Sequence, residues 1–307
     1  MFVLKKEKPA FIEFFISDLQ IPYQDDNAVE IFFYFLEKFK PDLLYLGGDI
    51  IDMNALTTFF LTDPTKRNIQ LEIESFNNFM KKVRKIFKGK IIFHLGNHEK
   101  RLRSYIFRKA DRLAPFFYSK LSFSEILNAQ KYEFEIIEGI FRIGKLYHLH
   151  GDEEKIRSSV IHLALNMLRR LNRSCIFGHF HKFDVYYITE LGKTLKGAFA
   201  NGCMFDINKM PLPYQYADTM QKGFSIVYYT KEGFFDVEQI KFIPLENLEK
   251  KIERDETSQF LNIFEFNNRN NNKKNDKTKY DKVNIYYDGK AKGYFVKFKD
   301  DFYIFKF

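Results

Sequence analysis

The chain has 307 residues, enough for one large domain or two modest ones with substantial cores, so a disulfide-stapled miniature scaffold is excluded. Its two cysteines, Cys175 and Cys203, sit in apolar surroundings without paired Cys/His spacing, which argues for a reducing, cytoplasmic setting over a secreted one. A formal charge of +9, from 49 Lys and Arg against 40 Asp and Glu, favours a polyanionic partner such as nucleic acid.

Near the N-terminus, Lys5 and Lys6 interrupt the first apolar residues and no small-residue cleavage site follows, so no signal peptide is read. Nowhere do about 18 apolar residues run uninterrupted, so neither a spanning helix nor a membrane partner is expected. Phe11 to Ile16 is a short apolar run ending in Ser17-Asp18, which predicts a buried strand delivering polar groups at its carboxyl end. Helical periodicity from Asp26 to Phe39 stops before Pro41. A second apolar run, Asp42 to Leu46, closes at Gly47-Gly48-Asp49. An amphipathic helix over Ile69 to Phe87 leads through Gly89 to a third run, Ile91 to Leu95, ending in Gly96-Asn97-His98. A helix from Lys100 to about Leu113 follows. Phe134 to Leu149 is strand-like, with a hairpin expected at Glu138-Gly139, and it ends at His150-Gly151. Glu153 to Leu171 has the period of one helix, with His162 packed in its apolar pattern. Ser174 to Phe177 is a short strand ending at Gly178-His179, and further strands run to about Phe242.

Strands alternating with helices predict an α/β protein with at least partly parallel sheet, whose ligand site lies at the carboxyl ends of the strands. Beyond, Leu245 to Asp255 reads as helical, within a connector over 245–266. Residues 267–282 are almost entirely Asn, Lys, Asp and Arg, a linker or long loop with too little apolar surface to fold alone. Residues 283–307 read as a small β-meander, its three pieces divided at Asp288-Gly289 and Asp300-Asp301.

Five polar groups stand at the predicted strand ends: Asp18-Leu19-Gln20, Gly48-Asp49, Gly96-Asn97-His98-Glu99, His150-Gly151 and Gly178-His179-Phe180-His181. One sheet edge could gather them. Oxygen and imidazole donors in this mixture suit divalent metals, and a metal pair about 3.5–4 Å apart clamps the attacking and leaving oxygens of a phosphoryl substitution.

At these residues the sequence resembles the calcineurin-like metallophosphoesterases, whose pattern is Asp-x-His, Gly-Asp, Gly-Asn-His-Asp/Glu, His and Gly-His-x-His; the phage and prokaryotic phosphoesterase and DNA-repair nuclease branches look nearest. The resemblance spans roughly Phe11 to Ile243 and implies a four-layer α-β-β-α sandwich of two mixed sheets, with a catalytic domain over 1–244. It implies two divalent ions. The first would be held by Asp18, Gln20, Asp49 and His181, the second by Asp49, Asn97, His150 and His179, with Asp49 bridging and a hydroxide between the ions attacking phosphorus. The catalytic set so implied is His98, Asp49 and Asn97, with His98 serving the leaving oxygen as acid or charge stabiliser.

Gln20 departs from the pattern, which places His there. An amide oxygen is a harder, neutral donor, so Mn2+ is favoured at the first site, with Mg2+, Fe2+ or Zn2+ as alternatives. Arg101 and Arg103, just after His98, are the candidates for holding a substrate phosphate. The 37 Phe and 18 Tyr, beside no Trp, are read mainly as core, although Phe59-Phe60, Phe116-Phe117-Tyr118 and Tyr186-Tyr187 could stack on unpaired bases. Three activities stay open: nucleic-acid phosphodiesterase, the favoured one; an esterase for monoesters or small diesters; and a catalytically reduced binding scaffold. A homo-oligomer is also compatible with the sequence.

Overall fold

The parallel ladder forms where the apolar runs predict it. In the computed structural model the described residues are 9–58, 68–116, 122–154, 161–189, 195–210 and 219–243, with the backbone alone at 260–262, 283–288, 293–298 and 301–306. β1 (Phe11–Ile16), β2 (Leu43–Leu46), β3 (Lys90–His94) and β4 (Phe134–Ile137) are parallel neighbours in that order. β10 (Lys222–Tyr229) joins the other edge of β1 antiparallel, and β11 (Phe235–Ile243) comes next to it. A second sheet has the order β5 (Phe141–Ile143), β6 (Leu146–Leu149), β7 (Cys175–Phe177), β9 (Leu195–Ala200), β8 (Asp184–Thr189); its three central strands are parallel and its two edges antiparallel.

The sheets pack face to face. Phe15, Leu43, Tyr45 and Ile92 of the first meet Leu146, Ile176 and Phe199 of the second in one buried cluster. Outside the second sheet, α5 (Leu163–Leu171) lays Leu163, Ala164, Met167 and Leu168 on Leu149, Cys175, Phe177 and Ala198. Outside the first, α1 (Asp26–Phe39) and α2 (Ile69–Ile86) supply Phe32, Phe35 and Phe76, whose rings pack on Phe14, Phe224, Phe93 and Phe134. The architecture is therefore the expected α-β-β-α sandwich. Much of the phenylalanine surplus is absorbed here, each fully buried ring contributing roughly 1.5–3 kcal/mol.

Helix ends follow their local chemistry. Asp25 caps α1 by accepting from Asn27 N and Ala28 N, and Asn68 caps α2 by accepting from Leu71 N. α3 (Lys100–Lys109) gives way to a 3-10 turn over Asp111–Leu113, and a single turn, α4 (Phe123–Ile126), precedes β4.

Three local expectations change. Glu138-Gly139 is not a hairpin: β4 pairs with β3 and β5 with β6, so this turn carries the chain from one sheet to the other, and the hairpin lies at Gly144-Lys145. The expected single helix is interrupted: Gly151–Glu154 form turns, 161–162 are not helical and α5 spans Leu163–Leu171, with 155–160 outside the described residues. His162 consequently sits exposed at the entrance to α5 instead of packing. Tyr186 and Tyr187 are exposed on edge strand β8, while Phe59, Phe60, Phe117 and Tyr118 fall outside the described residues, as do the helix expected over Leu245–Asp255 and the linker 267–282.

The chain divides into two compact units, Met1–Gln239 and Ile240–Phe307. In the second, β12 (Phe260–Asn262), β13 (Val283–Asp288), β14 (Gly293–Phe298) and β15 (Asp301–Lys306) form an antiparallel meander in that order, and Lys241–Ile243 pair with β15. Three of these strands are the three β-rich pieces read from the sequence. No helix among the described residues is long and apolar enough to cross a membrane.

Candidate metal centre

Each chemical motif leaves the carboxyl end of a parallel strand: Asp18 after β1, Asp49 after β2, Asn97 after β3, His150 after β6 and His179 after β7. The loops after β1 and β2 are laced together, Asp18 N donating to Gly48 O and Gln20 N to Asp49 O, both at 3.0 Å. Asp18, Gln20, Asp49, His179 and His181 all take left-handed backbone, with φ of 55°, 48°, 53°, 69° and 59°. Such conformations cost on the order of 1–3 kcal/mol each outside glycine and persist where surrounding bonds impose them. Gly48, at φ 91°, lies so near His150 that a Cβ there would strike the imidazole.

Asp49 is the hub. Its Oδ1 accepts from His98 N at 2.8 Å, and its Oδ2 lies 3.2 Å from His150 Nε2. His150 Nδ1 donates to Gly47 O at 2.9 Å, which aims Nε2 at Asp49 Oδ2 and, at 3.1 Å, at Asn97 Oδ1. A neutral imidazole would thus present a lone pair to two more acceptors, so Nε2 carries either a proton, donated to those oxygens, or a metal ion in its place. Titration reflects that demand. Burial works against a charged His150, but Asp49 and then Asp18 outweigh it and hold the imidazole well above the ordinary histidine range. Burial likewise opposes ionisation of Asp49, yet His150 and His98 keep its carboxyl well below the usual range. Burial and the neighbouring His150 push His179 down to about 4, leaving it neutral and able to ligate. Asp49, His150 and His179 present ligand atoms all within 4.8 Å of one another and could hold a metal ion.

The other predicted ligands adjoin. Asp18 Oδ2 accepts from His179 N at 3.0 Å, and Asp18 Oδ1 lies 3.3 Å from His181 Nε2, buried and without a hydrogen bond. Gln20 is wholly buried beside them. A buried carboxylate oxygen left over for a ligand, within a set of carboxylate, amide and imidazole donors, fits divalent ions of borderline hardness.

His98 donates through Nδ1 to Asp52 Oδ1 at 2.6 Å, and its Nε2 stands 3.6 Å from Asp49 Oδ2. Arg101 donates to Asp52 O at 2.8 Å and, through its other terminal nitrogen, to His98 Nε2 at 3.0 Å. Burial and Arg101 disfavour a second proton on His98, but Asp49 and Asp52 prevail and raise it above the histidine norm. The two arginines read as substrate ligands separate here. Arg101 touches His98, whereas Arg103 forms a two-pronged pair with Glu138 at 2.9 and 2.6 Å.

Three supporting residues escape sequence reading. Glu99, given no role there, is wholly buried and accepts from Gly96 N, Asp49 N, Ile50 N and Ile51 N at 2.8–3.0 Å, bracing the loops after β2 and β3. Burial and the Asp49 charge raise its carboxyl to about 7. Asp52 fixes His98. Glu153 accepts from His150 N and Gly151 N and pairs with His94, itself held by the Tyr45 hydroxyl. Despite burial, these partners bring Glu153 down to about 2. Their signal is a polar residue inside or just after an apolar stretch, which turns share, so only the assembled loops separate the two.

The gene 54 protein of Mycobacterium phage L5 is 23% identical over 175 residues, covering 54% of this chain and 68% of the phage protein. The corresponding protein of Mycobacterium phage D29 is 22% identical over 173 residues, with the same shares. Among solved structures, Vps29 of Chaetomium thermophilum is similar with a TM-score of 0.41 at 14% identity, over 78% of this chain and 90% of that one. YfcE, a phosphoesterase from E. coli, is similar with a TM-score of 0.34 at 13% identity, over 73% and 96%. The family model described as calcineurin-like phosphoesterase matches residues 14–184, more than half of the chain and the very stretch that carries every motif from Asp18 to His181; the chain belongs to that family.

Proposed function

We propose that the chain is a metal-dependent phosphodiesterase that hydrolyses DNA or RNA, using two divalent ions with Mn2+ favoured. The observation that carries this reading is the convergence of Asp49, His150 and His179, whose ligand atoms all lie within 4.8 Å of one another, next to a His98 already equipped to move a proton. Asp49, Asn97, His150 and His179 would hold one ion; Asp18, Gln20, Asp49 and His181 would hold the other. Bound there, the ions would supply a water activated near neutral pH and neutralise charge on the phosphoryl oxygens.

The remaining work falls to the chain. Asp52 fixes His98 so that Nε2 is the atom that exchanges a proton, and a raised affinity for that proton suits an acid serving the departing oxygen. Arg101 rests on His98 Nε2 without substrate; a phosphate would draw the guanidinium away and release that nitrogen. Glu99 and Glu153 keep the ligand loops from relaxing. The net charge of +9 supports a polymeric anion over a small ester.

The test is digestion of end-labelled single- and double-stranded DNA and RNA in Mn2+, with Asp49→Asn as control. Cleavage that disappears in the control supports the reading. Turnover of 4-nitrophenyl phosphate with no cleavage of nucleic acid would replace it with a small-ester hydrolase, and inertness together with absent Mn2+ binding would favour a binding scaffold.

A further inference from the structure

We propose that the exposed face of α3, with the turn after Asp52, seats the leaving-group side of a nucleic-acid strand, one nucleotide beyond the scissile phosphate. A cleft of about 220 Å3 opens beside Asn97 and Arg101 and extends along Ser104, Tyr105, Arg108 and Lys109, with Leu56–Thr58 as its opposite wall. The proposal rests on the reading of His98 as the group serving the leaving oxygen. Arg101 belongs to both places, touching His98 Nε2 at 3.0 Å and lining the cleft, so whatever departs toward His98 departs into this space.

The lining selects the ligand. Among the described residues the lining holds three cations, Arg101, Arg108 and Lys109, and no carboxylate, which fits an anion. Positions 101, 104, 105 and 108 fall on one helical face, and Arg101 and Arg108 are about 10 Å apart along the axis, so they meet different anionic groups and not one phosphate. Tyr105 is 45% exposed between them, a flat surface for a base. The cleft is smaller than the ~300–1,000 Å3 of pockets that enclose a free drug-sized ligand, which suits one unit of a chain running past it. The neighbouring cations on other faces are already committed, Lys100 to Asp152 and Arg103 to Glu138. Among the described residues no carboxylate pairs with Arg108 or Lys109.

The experiment compares kcat/KM on a labelled single-stranded oligonucleotide with that on bis(4-nitrophenyl) phosphate in Mn2+, for the wild type, Tyr105→Ala and a double variant of Arg108→Ala with Lys109→Ala. All three side chains are exposed, and thermal melting checks that the variants fold. The expected loss on the oligonucleotide exceeds that on the small diester at least tenfold, chiefly in KM. In the double variant the logarithmic salt slope of oligonucleotide affinity becomes shallower by about 1.4, the value for two phosphate contacts on a single strand. Equal losses on both substrates would overturn the proposal while leaving the phosphodiesterase reading intact. Should the wild type hydrolyse neither substrate, that reading fails, and fluorescence anisotropy of the oligonucleotide decides the cleft by itself: at least tenfold weaker binding by the double variant supports it, and equal binding overturns it.

Discussion

His98 and Asp52 form a buried pair in which Nδ1 of the imidazole donates to Oδ1 of the carboxylate over 2.6 Å, so Nε2 is the nitrogen left to face Asp49 and Arg101. The tautomer of His98 is thereby set by a residue three positions past Asp49. Asp52→Asn replaces that acceptor with an amide able to turn its N–H toward the ring. The expected result is a kcat lower by roughly 100-fold, the scale of general acid catalysis, with KM and Mn2+ affinity little changed. Because the Asp52 charge helps to raise His98, the alkaline limb of the pH–rate profile also moves to lower pH. A variant with wild-type kcat and an unmoved limb would remove Asp52 from the mechanism.

Glu99 is a larger structural commitment than its neighbour His98. Four backbone N–H groups converge on its two oxygens, an arrangement that a carboxylate satisfies and an amide cannot. Glu99→Gln is expected to cost about 2–4 kcal/mol in denaturant unfolding and to weaken Mn2+ binding 10–100-fold, because the loop carrying Asp49 loses its brace. Unchanged metal affinity in a destabilised variant would confine Glu99 to folding.

Glu72 on α2 gives a prediction in pH. Buried at 2% exposure, it accepts from Asn54 N and Ala55 N, and burial raises its carboxyl from 4.5 to about 7. A raised carboxyl favours the fold through its protonated form, so its contribution is complete below pH 4.5 and is lost as pH climbs through about 7. Glu72→Gln cannot titrate. Its stability relative to wild type should therefore improve between pH 4.5 and 8 by on the order of 3 kcal/mol, measured by urea denaturation. A difference that stays flat with pH would contradict the shift.

Much of the candidate site is legible because its strands are largely buried and read as short apolar runs, each stopping near a polar turn: Phe14–Ile16 before Asp18, Leu43–Leu46 before Asp49, Ile91–Phe93 before Asn97. What stays hidden depends on loops meeting. Glu99 finds partners 48 to 50 residues away, and Asp52 finds His98 at a separation of 46. Glu138-Gly139 misleads because a Gly turn is equally good chemistry for a hairpin and for a passage between sheets. His162 misleads because the helical period continues through Glu153–Leu171 while His162 itself stands just before the first turn of α5. Arg103 looks equivalent to Arg101 by sequence distance from His98, yet two residues along a helix turn it to another side, where Glu138 takes it up.

In the proposed ligand set, Gln20 would bear on the choice of metal. Replacing this wholly buried amide by His supplies a softer donor of similar reach. Gln20→His is expected to raise Zn2+ affinity relative to Mn2+ at least tenfold in competition titrations. An unchanged ratio would mean that Gln20 does not ligate.

The central claim is that the ligand atoms gathered around Asp49 are a metal centre, and calorimetric titration of Mn2+ into the wild type and Asp49→Asn addresses it most directly. The account predicts saturable binding of two ions per chain, weakened at least 100-fold in the variant because in the proposed set Asp49 would serve both. Absence of saturable heat in the wild type, or identical binding by the two proteins, would contradict it.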